Sequence, residues 1–146
     1  MVKSIEDAKL VHLDQQLCFK LYAASRLVIR AYKPLLENMG VTYPQYLVLM
    51  VLWQCESAVT VGHLGEKLML DSGTLTPLIK RMEVLGLVSR QRGIEDERQV
   101  WVQVTDAGKA LQPIAIDWVK QVATATTELD LVALRTQLDS LLMEIG

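Results

Sequence analysis

Between Asp71 and Gly86 the chain reads Asp-Ser-Gly-Thr-Leu-Thr-Pro-Leu-Ile-Lys-Arg-Met-Glu-Val-Leu-Gly, and Leu75, Leu78, Ile79, Met82 and Leu85 recur at the spacing of one helix face. Asp71 or Ser72 can accept from the first unpaired amides, and Gly86 is a helix stop. The outward positions Ser72, Thr74, Thr76, Lys80 and Arg81 carry short hydroxyls and two cations, which suit phosphates and base edges. Pro77 either bends the start of a helix capped by Asp71 or is the first residue of one capped by Thr76. Upstream, Thr60 caps a short helix with Val61, Leu64 and Leu68 inward. Downstream, residues 87–92 and 99–104 alternate as two strands around the polar turn 93–98.

Two short helices followed by a charged hairpin form the pattern of a winged helix-turn-helix. On its N-terminal side Leu17, Leu21, Ala24, Val28, Ala31 and Leu35 alternate spacings of four and three from Leu13 onward, predicting a helix of roughly 30 Å. Pro34 kinks or restarts that helix and 38–40 ends it, while residues 1–12 have no strong period and form a frayed or short helical lead-in. Thr42-Tyr-Pro-Gln45 is a capping box for a helix from Tyr43 to about Glu56 that is apolar on nearly every side and belongs in the middle of the core. After the hairpin, Thr105-Asp-Ala-Gly108 opens a helix interrupted by Pro113 and carrying Ile114, Trp118 and Val122. The last stripe is Leu131, Leu134, Leu138, Leu141, Leu142 and Ile145. Apolar stripes at both ends fit packing between two subunits as well as they fit cover for one subunit's core. The expected fold is mainly α with a small β-hairpin wing (α+β) in a single domain, 1–146, with a reading region at about 41–105 and dimerisation helices at about 1–40 and 106–146.

The bulk numbers narrow the function. With 146 residues, 51% hydrophobic and 22% charged, the chain is one domain's length and is not disordered. No apolar run reaches the length of a membrane span and the first residues lack a signal-peptide core, so a soluble cytoplasmic protein without a membrane partner is expected. A net charge of -2 counts against coating nucleic acid through overall positive charge. DNA contact has to come from local patterning, and between Thr60 and Thr105 the cations Lys67, Lys80, Arg81, Arg90, Arg92 and Arg98 are matched by as many acids. Cys18 and Cys55 lie far apart, and His12 and His63 are isolated, so neither a metal site, a cofactor nor a structural disulfide is expected.

Asp96-Glu-Arg98 in the hairpin turn, then Val102-x-Val-Thr105 and Gly108, resemble the Asp-x-Arg and strand-to-helix pattern of the multiple-antibiotic-resistance regulator (MarR) family, and the resemblance covers nearly the whole chain. Within that family, Leu13-Asp-Gln-Gln-Leu-Cys-Phe-Lys-Leu-Tyr22, Tyr43-Pro-Gln-Tyr-Leu-Val-Leu49 and Leu70-Asp-Ser-Gly-Thr-Leu-Thr-Pro-Leu78 look like the branch of organic-hydroperoxide-resistance regulators. The resemblance implies a dimeric DNA-binding repressor whose peroxide-sensing cysteine falls on Cys18. It places the tyrosines that bond the thiolate on Tyr32 and Tyr43 of the other subunit, with Tyr22 close by. It also places an Asp-Arg network on Asp71, Arg81 and Arg98. Members with two cysteines resolve the oxidised sulfur in the C-terminal region, and 106–146 here contains no cysteine. That departure favours a one-cysteine mechanism in which a small cellular thiol caps the sulfenate.

Residue chemistry gives its own reading of the same positions. A helix starting near Asp14 puts Cys18 at the end of its first turn, where unpaired amides favour a thiolate, and Tyr22 one turn on shares its face. Asp14 would oppose that ionisation if it faced the sulfur. Cys55 and Tyr46 read as core. Arg98 reads as a DNA contact oriented by Asp96, and Arg90 and Arg92 complete the DNA-facing set. Taken with the resemblance, the expected function is a homodimeric repressor on a palindromic operator, with 71–85 in each major groove and the wings along the minor grooves, released when an organic hydroperoxide oxidises Cys18. Two alternatives stand beside it: a regulator of the same fold that answers to a small aromatic ligand, and a thiol peroxidase turning over at Cys18.

Overall fold

The computed structural model describes residues 2–123 and 129–146. The chain forms two compact units, Met1–Ile114 and Ala115–Gly146. In the first unit, α1 (Val2–Lys9) and a 3₁₀ turn (Leu13–Gln15) precede α2 (Leu17–Ala31), α3 (Lys33–Met39) and α4 (Tyr43–Trp53). Strand β1 (Val59–Thr60), α5 (Val61–Leu68), α6 (Ser72–Val84), β2 (Val88–Arg92), β3 (Val100–Val104) and α7 (Asp106–Ala110) follow, and α8 (Gln112–Ala123) runs across the division. The second unit ends in α9 (Leu131–Ile145).

The helix expected from Leu13 starts later than its pattern indicated and restarts at Pro34. Pro34 has no amide, and its ring opposes the Arg30 carbonyl one turn back, so Tyr32 closes α2 and opens α3. At the other end, α2 starts only at Leu17, which moves Cys18 from the end of a first turn to the second helical residue. Helix α4 begins with the expected capping box: Thr42 N–H donates to Gln45 Oε1 at 2.9 Å and Gln45 N–H to Thr42 Oγ1 at 3.4 Å. It stops at Trp53, short of Glu56, and Tyr46, Val48, Leu49 and Leu52 are buried where α4 meets α5, α6 and β3. Leu64, Leu75, Ile79, Met82, Val88 and Val102 close the same core.

Leu85 departs from its predicted inward stripe and is 52% exposed, because it is already the C-cap of α6. Gly86 (φ +76°) ends the helix: its amide donates to the Glu83 carbonyl at 2.9 Å and the Leu87 amide to that of Met82 at 3.0 Å. The two alternating strands form the hairpin of β2 and β3, which pairs Val88 with Val104 and Arg92 with Val100. β1 adds a third antiparallel strand in the order β1-β3-β2, and its two residues are too few to show alternation in the sequence.

A junction ties the wing's base to the helices. Thr105 Oγ1 donates to the Gly86 carbonyl at 2.6 Å and accepts from Gly108 N–H at 3.2 Å, while Trp53 Nε1 donates to the Gly108 carbonyl at 3.1 Å. Gly108 fits only without a Cβ, which would overlap the Leu87 carbonyl oxygen and come within 2.6 Å of a Val104 methyl. Pro113 restarts the chain as α8 after a turn at Leu111. In the second unit Asp130 caps α9 by accepting Ala133 N–H at 3.0 Å, and no residue of α9 is buried. No helix among the described residues is long and apolar enough to cross a membrane.

Candidate nucleic-acid interface and thiol site

Helices α5 and α6 form the helix-turn-helix. Thr60 caps α5 by accepting His63 N–H at 3.1 Å, and the turn is closed by Leu70 N–H donating to the Gly65 carbonyl at 3.0 Å. Side-chain growth at Gly65 is blocked by the Leu70 carbonyl, 2.7 Å from where a Cβ would stand. Asp71, not Thr76, caps α6: its carboxylate accepts Thr74 N–H at 2.7 Å, which leaves Pro77 inside the helix. Ser72, Thr74, Lys80 and Arg81 are exposed, as the outward face requires, whereas Thr76 is half-buried beside the core.

The wing cations divide into two kinds. Arg98, with its side chain 92% exposed, lays Nε and a terminal nitrogen on the two oxygens of Asp96 at 3.1 and 3.3 Å, and its amide donates to Asp96 Oδ1 at 3.0 Å. These bonds, the side-chain ones first, hold the Asp96 carboxyl below its ordinary pKa. Arg92 is exposed, with one long 3.5 Å contact to the Glu97 carbonyl. Arg90 is half-buried and engaged: Glu83 accepts its amide at 2.9 Å and its Nε at 3.2 Å. The Asp71, Arg81 and Arg98 network does not form within one chain, since Asp71 is a helix cap and Arg98 is paired with Asp96. In the sequence Glu83 has the look of an ordinary helix-surface acid, and its place seven residues before Arg90, across a tight turn, is the one signal of the pairing.

Cys18 is exposed in the first turn of α2. The N-cap residue Gln16 makes no capping bond, because its amide is turned back to the Leu10 and His12 carbonyls at 2.6 and 3.0 Å. The opening amides of α2 therefore receive no side-chain cap. Tyr22, one turn on, is 62% exposed with the Arg26 guanidinium over its ring at 5.2 Å.

Tyr32 and Tyr43 meet edge to face at 5.4 Å, and both touch the buried Tyr46, at 6.1 and 6.2 Å. Tyr46 is core, as its place in the sequence indicated. Burial first, and Tyr32 second, push the Tyr43 phenol above its ordinary pKa, so it remains a hydrogen-bond donor into alkaline solution. This cluster does not reach Cys18 of the same chain, since the fourteen residues from Cys18 to Tyr32 span about 21 Å of helix. Cys55 is half-buried, with its thiol donating to the Val51 carbonyl at 3.2 Å. Among the described residues no group of three or more His, Cys, Asp or Glu could hold a metal ion.

Comparison with known proteins agrees with this geometry. The family model "Transcriptional regulator SarA/Rot" matches residues 30–112. The organic hydroperoxide resistance transcriptional regulator of Bacillus subtilis is 53% identical over 105 residues, 72% of this chain and 71% of its own. The regulator TtmR of Methylorubrum extorquens is 47% identical over 129 residues, 88% of this chain and 65% of its own. Among solved structures, reduced AbfR bound to DNA has 36% identity and a TM-score of 0.76 over 91% of this chain and 94% of that one. Overoxidised AbfR bound to DNA has 34% identity and a TM-score of 0.78 over 96% and 99%. With its two reading helices, three-stranded wing and these relatives, the chain belongs to the MarR/SarA family of winged helix-turn-helix transcriptional regulators, a family of regulators and not of enzymes.

Proposed function

We propose that this regulator is a homodimeric, DNA-binding repressor that holds a palindromic operator while Cys18 is reduced and lets go when an organic hydroperoxide oxidises it. The observation that carries this reading is the separation of its parts. A thiol stands at an uncapped helix start, and the tyrosines suited to support it lie about 21 Å away in the same chain, so a complete site needs a second copy. Support for the dimer comes from α2 and α9, neither of which has a buried residue, and from Leu17, Leu27 and Val28, each more than half exposed. That exposure favours subunit packing over cover for one subunit's own core.

On the DNA side, α6 supplies Ser72, Thr74, Lys80 and Arg81 to a major groove, and the wing supplies Arg92 and the Asp96-oriented fork of Arg98 to the backbone or minor groove. Arg90 enters as a braced cation, not a free one. Oxidation at Cys18 acts through the dimer interface, altering the spacing of the two reading helices. A small-thiol cap on the sulfenate is the expected end state, since no cysteine occurs in 106–146. The aromatic-ligand reading has its own observation, an open groove of about 530 Å³ whose lining includes Ile29, Leu36 and Val41 together with Arg30 and Lys33.

The test is a mobility-shift titration of reduced protein on an operator selected from random duplexes. It is repeated after one equivalent of tert-butyl hydroperoxide with added low-molecular-weight thiol, and separately with salicylate. Release by peroxide alone supports the sensor, and release by salicylate alone supports the ligand reading.

A further inference from the structure

Glu83 is an acid on the DNA-facing head, and both of its oxygens are in use. Oε2 accepts the Arg90 amide at 2.9 Å and Oε1 accepts Arg90 Nε at 3.2 Å, so one carboxylate joins the last turn of α6 to the first strand of the wing. Beside this joint is a recess of about 230 Å³ lined by Lys80, Glu83, Arg90, Gln91, Arg92 and Val100. We propose that Glu83 is a positioning residue for DNA binding: it fixes the wing against the reading helix and aims Arg90, so that Lys80, Arg90 and Arg92 together seat one backbone phosphate.

The chemistry of guanidinium supports this assignment. Its nitrogens lie in one rigid plane, so a bond at Nε, together with the neighbouring amide held by the same carboxylate, sets the direction of the two terminal nitrogens. Those nitrogens carry the donors that match a phosphate. Three cations around one recess also repel one another, and the Glu83 charge offsets part of that repulsion before DNA arrives. With three positive side chains and one negative, the recess keeps a surplus for an incoming phosphate. The inference rests on the DNA-binding reading above and adds to it a residue that never needs to touch DNA.

The sign of one measurement separates this role from that of a bystander. An acid that merely lies near DNA repels phosphates, so removing it tightens binding; a positioning acid weakens binding when removed. Reduced full-length protein would be titrated onto its selected operator by fluorescence anisotropy from 50 to 200 mM salt. Glu83→Ala is expected to lose about tenfold or more in affinity, the scale of one charge-assisted hydrogen bond. The slope of log affinity against log salt should shrink by about 1.8 as the dimer loses two phosphates.

Glu83→Gln keeps an acceptor for the Arg90 amide and should recover part of the loss. Arg90→Lys keeps the charge without the fork and should reproduce the loss in a protein that melts like the parent, which covers the case in which Glu83→Ala does not fold. Equal or tighter binding by either Glu83 variant overturns the inference, as does weaker binding with the parent's full salt slope. A parent that binds no duplex from the library overturns the DNA-binding reading itself and this inference with it.

Discussion

Replacing Arg98 by Ala removes a cation that the wing holds out almost fully into solvent, 92% exposed, and leaves Asp96 without the partner that depresses its pKa. If each guanidinium neutralises one phosphate, the dimer loses two contacts and the slope of log affinity against log salt falls in magnitude by about 1.8. Between 50 and 200 mM salt, a fourfold change, the parent should therefore lose about 12-fold more affinity than the variant. The loss should be similar on operator and non-operator DNA, because a wing contact of this kind contributes position more than sequence. Asp96→Asn keeps the cation but gives up the charge that aims it, and should fall between the two proteins. Acidification adds a sign: the carboxyl is held below its ordinary pKa, so the fork persists as pH falls through the usual carboxylate range and opens only below the depressed value. Anisotropy titrations at four salt concentrations would measure the slope, with melting curves alongside. An Arg98→Ala protein with the parent's full slope, or one that melts several degrees lower while binding DNA normally, would show that Arg98 braces the wing and does not contact DNA.

Gly108→Ala forces a methyl into the Leu87 carbonyl and the Val104 side chain, and should cost about 1 to 3 kcal/mol, seen as a melting point several degrees lower; parent-like melting would show that α7 shifts freely. Tyr43→Phe and Tyr32→Phe remove donors expected to reach Cys18 of the partner, and losing one bond to a charged group, about 1.5 to 3 kcal/mol, should slow oxidation of Cys18 by organic hydroperoxide roughly tenfold while leaving the DNA affinity of the reduced protein nearly intact. Stopped-flow oxidation would record that change, and unchanged rates in both variants would return these rings to a packing role. Leu27→Glu puts a charge on a face that is 61% exposed at that residue in a single chain, and should dissociate the dimer in sedimentation velocity; a dimer of parent stability would move the interface elsewhere.

The parts of the fold that were legible in the sequence are those set by short-range chemistry. The Thr42–Gln45 box, the Thr60 cap, the helix opened by residues 105–108, the all-round apolar α4 and the alternating hairpin each depend on a few neighbouring residues, and each is found where its pattern indicated. Patterns with two physical solutions were not resolved. A proline can bend, break or start a helix: Pro34 and Pro113 lie at restarts, while Pro77 is carried inside α6, whose cap is Asp71. A heptad-like stripe fits its own core or a partner's, and only the exposure of α2 and α9 favours the partner. Contacts across a turn were hidden because each residue has an ordinary local role. Glu83 reads as a helix-surface acid until Arg90 is folded against it, and Trp53 reads as core until its indole meets the Gly108 carbonyl.

In the proposed repressor the oxidation state of Cys18 controls the hold on DNA, and Cys18→Ser is the decisive variant. Reduced parent and variant should bind the selected operator with the same affinity, since position 18 lies on α2, apart from the reading head in the sequence and exposed in the chain. After one equivalent of organic hydroperoxide with added thiol, the parent should leave the DNA as mass spectrometry finds one adduct per chain at Cys18, while Cys18→Ser stays bound and Cys55→Ser behaves as the parent does. A Cys18→Ser protein that peroxide releases as readily as the parent would contradict the account.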